Sequence, residues 1–507
     1  MAHSPEDIFR QLCDHARQTA LLTSTSSLLQ WDERTLMPPR AGEFRADQVA
    51  SLAGLIHSRQ TDPQLGDWLR ELNERYHDLD AANDQAATVR ELYREYNKQT
   101  KLPRRLVEEL SRAAVLGQQT WSAARQNNDF ETFAPHLDEI LKLKREQAAA
   151  IGYEDCAYDA LLDDFEPLQR TREVTRVLSE LREALVPLVA AVQDSARVPQ
   201  RDLLTRNFPV SVQAEFGRKT AQRIGFDFDC GRLDETDHPF CSAMGPHDCR
   251  ITTRYDENFF PMAFFGTLHE AGHGIYEQGL RSDWYGLPLG SYVSLGVHES
   301  QSRLWENLVG RSLPFWQFFF PLAQESFPQS LESVDVGQFY FAINDVRPSM
   351  IRVEADEVTY NLHIIIRFEL EQALINGDLS VSDLPVAWNE LYQKYLGIEP
   401  ANAAEGVLQD IHWSAALIGY FPTYSLGNLY AAQLFERAKA DLGDLDLLFS
   451  QGCFEPLLQW LRTHVHLQGR TYSAAELVEN VAGSPISHEP LVRYLYDKLG
   501  PLYQIET

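Results

Sequence analysis

The segment Asn258–Gly279 reads NFFPMAFFGTLHEAGHGIYEQG, and its punctuation is that of a helix. An asparagine of the capping type opens it, Pro261 sits in the first turn and a glycine closes it. His269 and His273 stand four residues apart, a little over one turn, so both imidazoles project from one face and can reach a single ion at ~2.0 to 2.1 Å. Glu270 is rotated about 100° round the axis from His269. That offset suits a proton acceptor beside a metal rather than a ligand on it. Both histidines also fit a structural reading as helix-face polar groups, and a further ligand downstream separates the two readings.

Val297–Val309, VHESQSRLWENLV, supplies a second helix with Glu299 near its start and Leu304, Leu308 and Val309 as apolar anchors. Glu299 is the choice for third ligand. Glu277 is too close on the first helix and faces elsewhere, while Glu306, one to two turns on, is the rival. Without a metal, Glu299 reads as a solvated carboxylate at a helix start. His298 and Gln301 flank it as groups that can orient the ligands. Two histidines and a carboxylate describe a catalytic zinc site, with a fourth position for a water whose pKa falls to about 7. Glu270 would take that water's proton and pass it to a leaving amine, which is peptide hydrolysis.

Outward from this region the chain reads as helix. Ser4, Pro5 and Asp7 mark a first helix start. A second helix begins at Pro103, runs through Leu106 and Leu110 and ends near Asn127 and Asn128. Between Val174 and Val189 the apolar positions 174, 177, 178, 181, 185, 188 and 189 trace one helix face. Strand signal is confined to Ile251–Tyr255, ITTRY, which predicts an edge strand of a small sheet. No repeat, low-complexity tract or long Gly/Ser linker marks a boundary, so the reading is one mostly α unit with a helical cap from the N-terminal half.

Composition sets limits on partners. Of 507 residues 44% are apolar, which supplies a core, and 45 Lys+Arg against 73 Asp+Glu leave a formal charge of -28 that repels nucleic-acid phosphate and anionic lipid. Cysteines at 13, 156, 230, 241, 249 and 453 show no CxxC pairing, which fits a reducing compartment. No signal peptide and no apolar run of ~20 residues is seen, so a soluble cytoplasmic protein without membrane partners is expected.

Further marks appear in order: WDERTLMPPRAG at Trp31–Gly42, HPF at His238–Phe240, DCRIT at Asp248–Thr252, HEAGH at His269–His273, HESQ at His298–Gln301, IRVEAD at Ile351–Asp356 and GVLQDIHW at Gly406–Trp413. With these the chain resembles the carboxypeptidase Taq family of metallocarboxypeptidases over most of its length. The resemblance implies release of C-terminal residues from peptides, broad specificity with poor action next to proline, one zinc per chain with cobalt as the other candidate, and a homodimer. It implies the long-grooved helical zincin fold of neurolysin and angiotensin-converting enzyme, mostly α with a small β element near the active site. That fold is expected as a single catalytic domain over 1–507, with a helical cap about 1–200 and a metal-site core about 201–507. Carried over by position, His269, His273 and Glu299 are the ligands and Glu270 the base.

An exopeptidase must recognise a free carboxylate, and a guanidinium does so with two parallel hydrogen bonds, which makes Arg352 and Arg250 candidates. Each could instead pair with the acid of its own motif, Asp356 or Asp248. His412, Tyr420 and Tyr424 are donors that could stabilise an oxyanion, and 420 and 424 have helical spacing; core packing is the alternative. His238 is either a substrate contact or part of a packed turn. Two other functions compete: an endo-acting oligopeptidase on the same chemistry, and an inactive protein that keeps a metal for stability. Retention of Glu270 argues against the second, since holding a metal does not require it.

Overall fold

Ser4 accepts a hydrogen bond from the Asp7 amide, so the first helix begins at Pro5, and it runs to Thr35. The computed structural model describes residues 4–505. Helices follow at Gly42–Gln60, Pro63–Tyr76, Asp84–Lys101, Arg104–Asn127 and Phe130–Ile151. The helix expected from Pro103 ends as read, with Asn128 in the left-handed conformation at its C-cap. The face read from Val174 to Val189 belongs to a helix Thr171–Gln193 whose residues 174, 177, 178, 181, 185, 188 and 189 are all buried.

Two apolar cores result. A small one gathers Ile8, Leu12, Leu69, Leu72 and Val89, and a large continuous one runs from Ala124 to Tyr503. The large core therefore draws on both sides of residue 200. No helix among the described residues is long and apolar enough to cross a membrane, and all six thiols are free.

Strand β1 (Gly231–Glu235), β2 (Cys241–Gly245) and β3 (Asp248–Thr253) form a three-stranded sheet in the order β1-β3-β2. β3 is parallel to β1 and antiparallel to β2. The ITTRY segment thus lies on the central strand, not an edge, and its strand starts at Asp248 and stops at Thr253. Burial explains the difference: Ile251, Thr252 and Thr253 are all covered, so the segment lacks the alternation of an edge strand with one wet face.

β3 rests on the helix Phe260–Gly279, where Thr253 Oγ1 donates to the Ala263 carbonyl at 3.3 Å. This helix starts two residues after Asn258, which does not cap it; Phe259 is the N-cap and makes no side-chain capping bond. The Asn258 amide instead donates to Asp256 Oδ1. Phe260 packs against Phe208, Phe264 and Phe327, and that burial sets where the helix begins. Gly279 is the last helical residue, and a Cβ there would lie 2.3 Å from His466 Nδ1.

The second motif helix starts at Leu295, earlier than read, and after Arg303 it widens into a π-helical stretch, Leu304–Val309. It lies between two other helices. Against Phe260–Gly279 the contact is at Gly272, where a Cβ would stand 2.6 Å from the Gln301 carbonyl oxygen. Against the helix Pro422–Leu442 it is at Gly427, where a Cβ would stand 2.6 Å from Glu299 Cγ. These two close approaches bring three helices onto one pocket.

Candidate active site

The three helices converge on His269, His273 and Glu299, whose ligand atoms all lie within 4.8 Å of one another. Glu299 Oε2 is 3.4 Å from His273 Nε2 and 3.7 Å from His269 Nε2, so both rings turn the same nitrogen inward. Their outer nitrogens are already engaged. His269 Nδ1 bonds Glu306 Oε2 at 2.9 Å, and His273 Nδ1 bonds His298 Nδ1 at 2.6 Å. His298 passes the chain on through Nε2 to Glu277 Oε1 at 2.9 Å. An Nδ1–H held by an acceptor leaves Nε2 unprotonated and free to bind a cation, which is how outer partners prepare a histidine ligand. Two imidazoles and a carboxylate with these tautomers fit a zinc-type ion.

Glu299 is held from the other side by Arg303, one turn along, whose Nε donates to Oε1 at 2.7 Å. Arg303 also donates through Nη1 to Glu306 Oε2 at 3.2 Å and stacks over Tyr360 at 4.4 Å. Burial alone would raise Glu299, but Arg303 and His269 outweigh it and hold its carboxyl far below the usual range. Glu270 behaves oppositely. Burial, joined by the charges of Glu299 and Glu306, pushes it up to about 7, and no hydrogen bond contributes. A cation between the ligands would bring this value down, because it puts positive charge beside the carboxylate. Two neighbouring buried carboxylates are thus shifted in opposite directions, Glu299 down and Glu270 up.

Residues 11–499 match the family described as carboxypeptidase Taq (M32) metallopeptidase. The chain belongs to that family. It is 46% identical over 99% of its length to thermostable carboxypeptidase 1 of Thermus thermophilus, all of which is covered. It is 38% identical over 97% of its length to carboxypeptidase 1 of Bacillus subtilis, 98% covered. The crystal structure of the M32 carboxypeptidase from Deinococcus radiodurans superposes with a TM-score of 0.95 at 40% identity, covering 98% of this chain and 100% of that one. The protein is accordingly an M32 metallocarboxypeptidase with a mostly helical fold and a small three-stranded sheet.

The remaining candidates of this M32 chain fall into three places. Arg352 is buried and paired with Asp410, not Asp356: Nε and Nη2 both donate to Asp410 Oδ1 at 2.9 and 2.8 Å, and Nη1 donates to the Tyr360 hydroxyl at 3.0 Å. Asp356 instead accepts from Thr359 and three amides, at the start of the helix Thr359–Asn376. Arg367 shares Asp410, donating to Oδ2 at 2.6 Å. His412 is buried with Nε2 at 3.2 Å from the Tyr424 hydroxyl, and the Tyr420 and Tyr424 rings are 5.3 Å apart. Tyr420 lies just before the N-cap, Phe421, so only Tyr424 is on the helix. Arg250 pairs with Asp248 as the DCRIT motif allowed, through bonds of 2.8 and 2.9 Å, and lies over Trp31 at 4.4 Å. His238 is exposed in the loop between β1 and β2.

Sequence reasoning did not find Arg303, although its position four residues after Glu299 is the spacing of a helical ion pair. It placed Glu306 as a rival ligand, where the structure has it on His269 Nδ1. Gln301 turns away from the pocket, accepting from His466 Nε2 at 3.0 Å.

Proposed function

We propose that this M32 carboxypeptidase works with one zinc per chain, cobalt being the alternative ion, held by His269, His273 and Glu299. The observation that carries the reading is the convergence of these three ligand atoms within 4.8 Å, with both outer imidazole nitrogens already bonded. When bound, such an ion supplies Lewis acidity and lowers the pKa of a coordinated water. Glu270, buried but free of hydrogen bonds, takes the proton of the attacking water on its carboxylate and returns it to the nitrogen of the leaving amino acid. Tyr420, Tyr424 and His412 lie together and supply donors for the oxyanion.

The substrate's free C-terminal carboxylate is received by Arg352 or Arg250, with His238 as an outlying contact. Two guanidiniums on the single carboxylate of Asp410 leave a positive excess beside Tyr424, which supports Arg352. The lesser burial of Arg250, 16% exposed, supports the other. Specificity is broad and poor next to proline, since a proline removes an N–H and fixes φ. The long-grooved architecture of neurolysin and angiotensin-converting enzyme, a homodimer and a cytoplasmic location complete the proposal; the free cysteines and the acidic balance support the last.

The test is mass spectrometry of a peptide mixture, free and C-terminally amidated, digested with and without a chelator. Stepwise loss of single residues from free C-termini, abolished by the chelator and slowed by amidation, is expected. Equal cleavage of both forms would favour an endo-acting enzyme. The free-to-amidated ratio of kcat/KM in Arg352→Lys and Arg250→Lys then assigns the carboxylate site, because Lys keeps the charge and loses the fork.

A further inference from the structure

We infer that Glu166, remote from the ligands in sequence, is a positioning residue that holds Glu299 in place through the first turn of its helix; the inference rests on the metal-site reading above. Glu166 follows the short helix Ala157–Leu162 and is fully buried. Its Oε1 accepts from Ser294 Oγ at 2.9 Å and from the Tyr430 hydroxyl at 3.0 Å, and its Oε2 accepts from the Gly296 amide at 2.9 Å. The neighbouring Phe165 carbonyl accepts from the Leu295 amide at 3.1 Å. Ser294 Oγ in turn accepts from the Val297 amide at 3.0 Å. The amides of Leu295, Gly296 and Val297, which a helix start leaves without internal partners, thus all end on one junction.

Glu299 stands three residues beyond Gly296, less than one turn, so any slip or tilt at the junction is carried directly to the ligand. There is no slack to absorb it. A Cβ on Gly296 would lie 2.6 Å from Glu166 Oε2. Tyr430, the third donor, belongs to the helix Pro422–Leu442, which abuts Glu299 at Gly427. Glu166 therefore ties the start of the helix that carries Glu299 to the helix Pro422–Leu442 packed against it. Every donor to it is neutral, and burial pushes its carboxyl up to about 7 against the hydrogen bonds of Ser294, Gly296 and Tyr430.

Zinc affinity by chelator competition, with the visible spectrum of the cobalt form as a second readout, tests the inference on the full chain. Glu166→Ala is expected to bind zinc about 10- to 100-fold more weakly and to alter the cobalt spectrum. Glu166→Gln, with the same shape and one remaining acceptor, should recover most of the loss. Gly296→Ala, whose added Cβ would press on Glu166 Oε2 while the glutamate itself is retained, should weaken zinc as well, and it carries the test if Glu166→Ala does not fold. Glu371→Ala is the control: that carboxylate is equally buried and accepts from Tyr158, Trp413 and the Gly419 amide, but does not touch the ligand helix. It should lose stability while its folded form keeps wild-type zinc affinity. Wild-type affinity in folded Glu166→Ala or Gly296→Ala, or an equal loss in Glu371→Ala, would overturn the role of Glu166. A wild type without zinc, or a Glu299→Ala variant that retains it, would instead overturn the metal-site reading and this inference with it.

Discussion

Tyr360 joins two buried polar clusters that meet the cost of burial in opposite ways. Its ring lies under Arg303, and its hydroxyl accepts from Arg352. On the Arg303 side the carboxylates of Glu270, Glu299 and Glu306 face two histidines with their inner nitrogens unbonded. On the Arg352 side two guanidiniums close on Asp410, whose carboxyl is held far below its usual range against the opposing effect of burial. In the first cluster Arg303 pairs with Glu299 and Glu306 while Glu270 has no bonded partner, whereas the second has neutralised its acid and carries spare positive charge. Burial of charge is tolerated when it is paired, and the one carboxylate left without a partner, Glu270, is the one that burial pushes up.

The largest effect is expected at Glu270. Glu270→Gln should keep about one metal per chain while kcat falls by about a thousandfold, because the ligands remain and the proton acceptor is gone. Near-normal turnover would remove Glu270 from the chemistry. Glu299→Ala should empty the site in metal analysis, whereas Glu306→Ala should retain the ion with about 10-fold weaker affinity, since it touches His269 only through Nδ1. Reversed outcomes would exchange the roles of these two glutamates.

The second cluster is probed by stability. Asp410→Asn leaves two buried guanidiniums facing a neutral amide, and denaturant unfolding should show a loss of about 3 to 5 kcal/mol. A loss under about 1 kcal/mol would mean that the Asp410 carboxylate is not what offsets the burial of the two guanidiniums. Glu371 sharpens the contrast as a buried carboxylate with neither cation nor guanidinium bonded to it. Burial pushes it from 4.5 up to about 7, against the hydrogen bonds of Tyr158, Gly419 and Trp413. The folded state therefore holds the proton more tightly than the unfolded chain. That contribution is fully present below about pH 4.5 and is lost as pH rises through about 7, by up to about 3 kcal/mol. Glu371→Gln should flatten the stability curve in that window, and an unchanged slope would place the titration elsewhere.

Much of this protein is legible in the chain because it depends on neighbours within one or two turns. The four-residue step from His269 to His273, the buried face from Val174 to Val189 and the caps at Ser4 and Asn128 are local geometry, and they hold. Local punctuation misled where long-range burial competed with it: Phe260 overrode Asn258 at the start of the motif helix, and cover on both faces made β3 central. Partner choice was decided only by tertiary structure. Arg352 had an acid four residues away and took Asp410, 58 residues on; the start of the Glu299 helix took Glu166, 130 residues back from Gly296. A side chain's spacing along a helix is set by the backbone, but which charge it meets in the interior is set by how the helices pack, and only the folded chain contains that information.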